Sequence, residues 1–375
     1  MFSKPSWRIL LLSTSTILGM GLSAPMARAD IPDENYRPVL SHLLGNVMPS
    51  KLDAFHKASQ TLGAEFRDFC DDPDKDGLDD TKTAYHNAMD IWQEIQPWRM
   101  GPMVVNGRDQ HIEYWPDKHG TAGRQFRKLM FDKPAAYTDP EKLSGASAAL
   151  QGFPALEEVL FADDHGAQMI EADEDGVYLC QYGTAIATNL VTLSAELQAE
   201  WPEFATAMQD AGPDSMDYPT AKFAATDLYR ALHEGLLIIS TQKLARPLGE
   251  NAEDARASRA ESPLAGRSLR NIEHNLIGLF AIYDGKWGDV GAEGKGLAAL
   301  IDSSLLNRSF KLNWQTVSDT VSQLPPSISE VLEQSDGYER LSDLKGQIEF
   351  LTTLVENDVG GNTQLGGGFN ALDGD

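Results

Sequence analysis

Apolar residues recur three and four positions apart along most of this chain. Tyr36, Val39, Leu40, Leu43, Leu44 and Val47 open the pattern. Leu179, Tyr182, Ile186, Leu190, Leu193 and Leu197 repeat it in mid-chain, and Leu341, Leu344, Ile348, Leu351 and Val355 repeat it near the end. That spacing places one apolar stripe on each of a series of helices. Further helices are predicted near 79–96, 122–132, 143–163, 217–245, 265–284 and 296–322. Alternation of the kind a strand needs is confined to Met103-Val104-Val105 and His111 to Trp115. The expected fold is all-α, two side-by-side helical bundles of about four helices each. The turn-rich Asp210-Ala211-Gly212-Pro213-Asp214-Ser215 marks the expected boundary, between domains at 30–212 and 213–375. Gly360-Gly361 and Gly366-Gly367-Gly368 read as a flexible tail turn after the last helix.

One segment breaks the simple pattern. In Gly152-Phe153-Pro154-Ala155-Leu156-Glu157-Glu158-Val159-Leu160-Phe161, a wheel places Ala146, Ala149, Leu150, Phe153, Leu160 and Phe161 on one stripe. Glu157 falls inside that stripe, whereas Glu158 points away. A carboxylate among apolar side chains must be paired, protonated or bound to a cation. Glu157 is therefore a candidate functional residue, the alternative being a structural pair with a buried Arg. Pro154 beside Gly152 predicts a kink that leaves the Leu150 carbonyl without its helical partner, or simply a bend between packed helices.

The first residues change the setting. Lys4 and Arg8 precede an apolar run from Ile9 to Leu22, and Ala27-Arg28-Ala29 follows. This is the pattern of a signal peptide cleaved after Ala29, with the mature part in a periplasm or outside the cell. The apolar run is too short and too rich in Ser and Thr for a membrane span, so no membrane insertion is expected after processing. The chain carries a net charge of −25, and losing Lys4, Arg8 and Arg28 with the leader takes it to −28. That excess of acid disfavours nucleic acid and anionic membranes as partners. Two cysteines, Cys70 and Cys180, in an oxidising compartment point to one disulfide, with two buried thiols as the alternative.

Familiar catalytic and metal motifs are mostly missing. His233-Glu234 lacks the second His of a zinc protease helix, and none of the eight His residues has Glu three positions later. Asp53 and His56 are spaced to share a ligand, or to hydrogen-bond at the surface. Asp72-Pro73-Asp74-Lys75-Asp76-Gly77 begins like a calcium loop, but its twelfth position is Thr83 where a bidentate Glu is needed. Asp72, Asp74 and Asp76 thus mark a weak calcium site or a solvated acidic loop. No nucleophile elbow, phosphate loop or dinucleotide fingerprint occurs.

Several motifs together resemble the imelysin-like family of bacterial periplasmic and outer-surface proteins, over essentially the whole mature length. They are Trp98-Arg99-Met100-Gly101-Pro102, then Ile112-Glu113-Tyr114-Trp115-Pro116-Asp117, and Gly152 to Phe161, similar to the family's Gly-x-His-x-x-Glu helix. Lys243-Leu244-Ala245-Arg246-Pro247-Leu248-Gly249, Glu261-Ser262 with Gly266-Arg267-Ser268-Leu269, and the tail from Gly368 to Asp375 complete the series. The resemblance implies two helical bundles with the central motif at their interface, a proposed metallopeptidase activity, and an association with iron uptake. This chain departs at the motif's His, which is Pro154. A proline offers no ligand atom, so the usual His–Glu pair cannot form.

The resulting expectation is a non-catalytic binding protein for a metal ion (iron or another divalent metal) or a chelated small ligand. An iron-uptake membrane component is its expected partner. Arg99, Gly152, Pro154, Glu157, Glu261, Arg267 and Ser268 would line the interface, and Arg99 or Arg267 would hold Glu157 ionised. The alternatives are a metallopeptidase recruiting His111 or His119, and a docking protein for a membrane partner.

Overall fold

The predicted stripes are buried helix faces in the computed structural model, which describes residues 30–366. The leader and its cleavage site, and the tail motif from Gly368 to Asp375, lie outside the described residues. Nine helices of ten residues or more are numbered here in chain order: α1 (Met48–Asp71), α2 (Lys75–Ile95), α3 (Thr121–Asp132), α4 (Gly152–Phe161), α5 (Glu174–Gln209), α6 (Ala221–Ile238), α7 (Ser268–Asp284), α8 (Ser304–Ser322) and α9 (Gly337–Leu354). The mid-chain stripe lies on α5 and the last stripe on α9 and, at Val355, the π-helical turn that follows it, all of it buried. Helix starts follow local capping chemistry: Asp74, Asp173 and Thr220 accept from the amides of Gly77, Gly176 and Phe223.

The fold is all-α. Among the described residues the one ladder is a hairpin of β1 (Lys286–Trp287) and β2 (Val290–Gly291), antiparallel with Trp287 opposite Val290. Helices α1, α2, α4 and α5 pack on one another before the Asp210–Ser215 turn, and α6 to α9 pack on one another after it. Helix α2 lies directly against α7. The polar residues discussed below sit along that α2–α7 contact. The Cys70–Cys180 disulfide ties the end of α1 to α5, with Cα atoms 5.6 Å apart. No helix among the described residues is long and apolar enough to cross a membrane.

Several expectations need correction. The helix predicted over 143–163 is broken: a short 3-10 turn at Ala148–Leu150, capped by Ser147, precedes α4. Gly152 is the reason. It has φ +70°, and a Cβ there would lie 2.1 Å from the Ile112 carbonyl oxygen, so only glycine allows this approach. Pro154 consequently occupies the first turn of α4, where a missing N–H costs nothing, and produces no mid-helix kink. The Leu150 carbonyl is not freed for a ligand, because the Tyr182 hydroxyl donates to it at 2.7 Å.

Met103-Val104-Val105 is built of 3-10 turns, His111 and Ile112 are helical, and Glu113 to Trp115 forms no ladder, the Trp115 amide turning back onto the Glu113 carbonyl. The segment 296–322 starts as a 3-10 turn at Leu297–Leu300 before α8. Gly360 and Gly361 are helical, and Gly360 is buried beside the Tyr229 hydroxyl.

Candidate functional site

Glu157 is buried on α4, and Glu158 is only half-buried, as the wheel requires. Its Oε1 accepts the backbone N–H groups of Leu264 and Ala265, each at 2.8 Å. The carboxylate therefore clasps the loop preceding α7. Burial pushes its pKa up to about 7, against the pull of those two amides and of the nearby Arg267 guanidinium. Tyr85 on α2 completes the surroundings, its hydroxyl raised by burial and by the Glu157 charge and donating to the Phe153 carbonyl.

A continuous chain of buried polar groups runs beside this clasp. Glu113 lies in the extended piece after the short helix Arg108–Ile112, and its carboxyl accepts from Trp92 Nε1 at 2.6 Å, from Gln93 and from Gln96. Lys243 sits in a π-helical turn, Ile239–Leu244, that continues α6 and directs its side chain inward. Lys243 Nζ donates to Gln93 Oε1 at 2.8 Å and to Glu261 Oε2 at 2.7 Å, and both members of this ion pair are 1 % exposed. Asn271 Nδ2 donates to Glu261 Oε2 and to Ser262.

From there Arg267 links Asn271 to Asp90 and to His86, and Arg270 and His274 also reach Asp90. The chain ends at Glu94, held by His274, Lys51 and the Trp287 indole.

Protonation follows from these contacts. Burial and the neighbouring Glu261 charge push the Glu113 carboxyl well above its ordinary range, against the attraction of Lys243. Glu261 Oε1 has no hydrogen-bond partner in the protein, and the Glu113 carboxyl is the neighbouring acid group. Burial would raise Asp90 too, yet Arg270, Arg267 and His274 hold it below its ordinary value. Burial and the two guanidiniums lower His86 to about 4, so its ring is neutral.

The structure brings together part of the predicted set. Glu157, Glu261 and Arg267 converge where α4, α2, α7 and the 261–267 loop meet, while Gly152 packs on the Ile112 carbonyl. Ser268 is close in sequence but serves another end, accepting the Ile328 N–H at 2.8 Å. Arg99 stands apart and pairs with Asp109 at 3.0 Å, so it is Arg267 that acts on Glu157. Asp53 accepts from Gln198 and His56 meets Ser194, so the two do not share a ligand. Asp74 is spent as the α2 cap, and α2 begins at Lys75, replacing a twelve-residue loop with helix. His111 is half-buried and His119 exposed.

Glu113, Gln93, Lys243, Asp90 and Asn271 were not singled out from sequence. Asp90, Gln93 and Glu94 on the buried face of α2, like Asn271 and Asn275 on α7, carry the same signal that marked Glu157.

With this geometry in view, the comparisons with known proteins are informative. The family model Peptidase_M75 (Imelysin) matches residues 50–355. This chain belongs to the imelysin family. Iron-regulated protein A of Synechococcus elongatus is 25 % identical over 254 residues, covering 66 % of this chain; the chain spans 64 % of that relative's length. The crystal structure of an imelysin-like protein from Psychrobacter arcticum 273-4 superposes with a TM-score of 0.73 at 18 % identity, covering 92 % of this chain and 100 % of that one. A crystal structure from Parabacteroides distasonis ATCC 8503 gives 0.72 at 15 % identity, over 87 % and 95 % of the two chains. Those likenesses confirm the helical fold.

The residues at the imelysin motif do not fit a bare metal ion. Pro154 has no donor atom, Glu157 Oε1 is engaged by two amides, and no group of three or more His, Cys, Asp or Glu among the described residues is arranged to hold one.

Proposed function

We propose that this imelysin-family chain is an exported, non-catalytic binding protein that works in iron handling and takes its ligand where α4 meets the 261–267 loop. The observation that carries this reading is the use of Glu157 as a clasp on two backbone amides, with Pro154 in the position of the motif His. An activated water needs an open metal position held by at least three ligands, and this motif supplies one carboxylate. Iron would therefore reach the protein as a chelate, read by the charged side chains around Arg267. The iron association itself rests on the name of the Synechococcus relative.

The test is elemental analysis of the mature protein purified without chelators, beside Glu157→Ala and Pro154→His. The expected result is no tightly held iron or zinc in the natural protein, and zinc affinity at least about tenfold higher in Pro154→His, where an imidazole stands three residues before the carboxylate. Stoichiometric metal that disappears in Glu157→Ala would overturn the reading and reopen the question of a peptidase.

A further inference from the structure

The Cys70–Cys180 bridge is not sealed in the core. Both cysteines line a cavity of 590 Å³, together with Arg67, Asp71, Met169 and Gln181, among others. That size falls within the roughly 300–1,000 Å³ of small-molecule sites. Cys70 is half-buried, one residue before the end of α1, where the chain leaves the helix at Asp72. Cys180 is buried within the long helix α5. Thiol–disulfide exchange needs access to one of the two sulfurs, and the cavity offers it from the Cys70 side.

Two charges beside the bridge are left unused by the protein. The Arg67 guanidinium and the Asp71 carboxylate are both exposed, and neither has a hydrogen-bond or ion-pair partner among the described residues. They stand four positions apart on α1 and so share one face of it. Gln181, next to Cys180, adds an exposed amide, and Met169 an apolar wall. A cation, an anion and an S–S bond in one cavity match a molecule that carries a carboxylate, an ammonium and a thiol. The cavity shares no residue with the Glu157 site.

We propose that the Cys70–Cys180 bridge is a thiol–disulfide exchange site for a small thiol of that zwitterionic class. Arg67 takes a carboxylate, Asp71 takes the ammonium, and the thiolate attacks Cys70 Sγ. A new S–S bond forms between the ligand and Cys70 as the Cys70–Cys180 bond breaks. Its electron pair leaves on Cys180 Sγ, which takes a proton from water. One disulfide replaces another, so no further oxidant or reductant is needed. Cys180, fixed within α5, stays in place to reverse the step and release the ligand.

Reduced glutathione carries all three groups, whereas cysteamine lacks the carboxylate. The disulfide-intact mature protein is incubated anaerobically with each, acid-quenched, and read by intact-mass and peptide mass spectrometry. One glutathione per chain is expected, on Cys70, with Cys180 as a free thiol. At equal thiolate concentration glutathione should react about tenfold or more faster than cysteamine. The net charge of −25 acts the other way, attracting cationic cysteamine and repelling glutathione, so general electrostatics cannot produce that order. Arg67→Gln, at an exposed side chain, should slow glutathione by about tenfold without altering the melting profile. Any of four results would overturn the proposal: no adduct at millimolar glutathione, an adduct on Cys180 instead of Cys70, cysteamine reacting as fast as glutathione, or an undiminished glutathione rate in Arg67→Gln.

Discussion

Replacing Glu157 with Gln keeps the shape of the clasp and removes only its charge. The amide oxygen still accepts from Leu264 and Ala265, so the consequence is electrostatic and can be worked out. Burial lifts the Glu157 carboxyl from an ordinary value of 4.5 to about 7 in the folded protein. The folded state thus holds a proton that the unfolded chain has already lost throughout the interval between those values. Stability contributed by this group is fully present below about pH 4.5, falls as pH rises towards 7, and is constant above that. At roughly 1.4 kcal/mol per pH unit the full effect is about 3 kcal/mol.

Glu157→Gln, which resembles the protonated form at every pH, should match the natural protein at pH 4. It should exceed it by about 3 kcal/mol at pH 8. Urea unfolding of both proteins at the two pH values measures the difference, and it cancels contributions from Glu113 and other groups common to both. Parallel stability–pH curves, or a variant weaker at pH 8, would refute the argument. If the curves diverge as expected, the natural carboxylate is retained at a stability cost, and that is the physical mark of a functional residue.

The other predictions concern single contacts. Removing Lys243 by Lys243→Met takes away the buried ion-pair partner of Glu261 and should destabilise by roughly 3–5 kcal/mol; Glu113→Gln, at a carboxyl whose charged form burial already disfavours, should cost under about 1 kcal/mol. Equal losses from these two changes in urea titrations would refute the role of Lys243 as the counter-ion. Gly152→Ala should lose about 2–4 kcal/mol or fail to fold, because its Cβ meets the Ile112 carbonyl and its φ is positive; a normal melting temperature would show that the α4 start can shift. The Cys70–Cys180 bridge spans 110 residues, so reduction should remove roughly 2–5 kcal/mol. Unfolding with and without reductant checks it, and unchanged midpoints would count against the bridge.

The amino-acid order by itself determined the helices and their inward faces. Spacing of three and four is a property of the helix and needs no neighbour, which is why α2, α3, α5, α7 and α9 fall close to their predicted places. It also determined that Glu157 is buried and Glu158 is not, because a stripe of apolar neighbours forces both. The broken stretch before α4 was not legible. Its cause is the Ile112 backbone pressed against Gly152, a contact forty residues away that periodicity cannot express.

The site divides the same way. Glu157 was legible from its own helix, while its partners are two backbone amides on a loop more than a hundred residues later. Backbone N–H groups carry no sequence signature. Lys243 meets Gln93 and Glu261 only because a π-turn after α6 directs it inward and α2 packs on α7. Motif order groups Arg99 with Glu157, yet the folded chain pairs it with Asp109. The sequence therefore determined which polar residues had to be buried; only tertiary packing decided which of them meet, because a buried charge is stabilised by whatever group the fold brings within hydrogen-bonding distance.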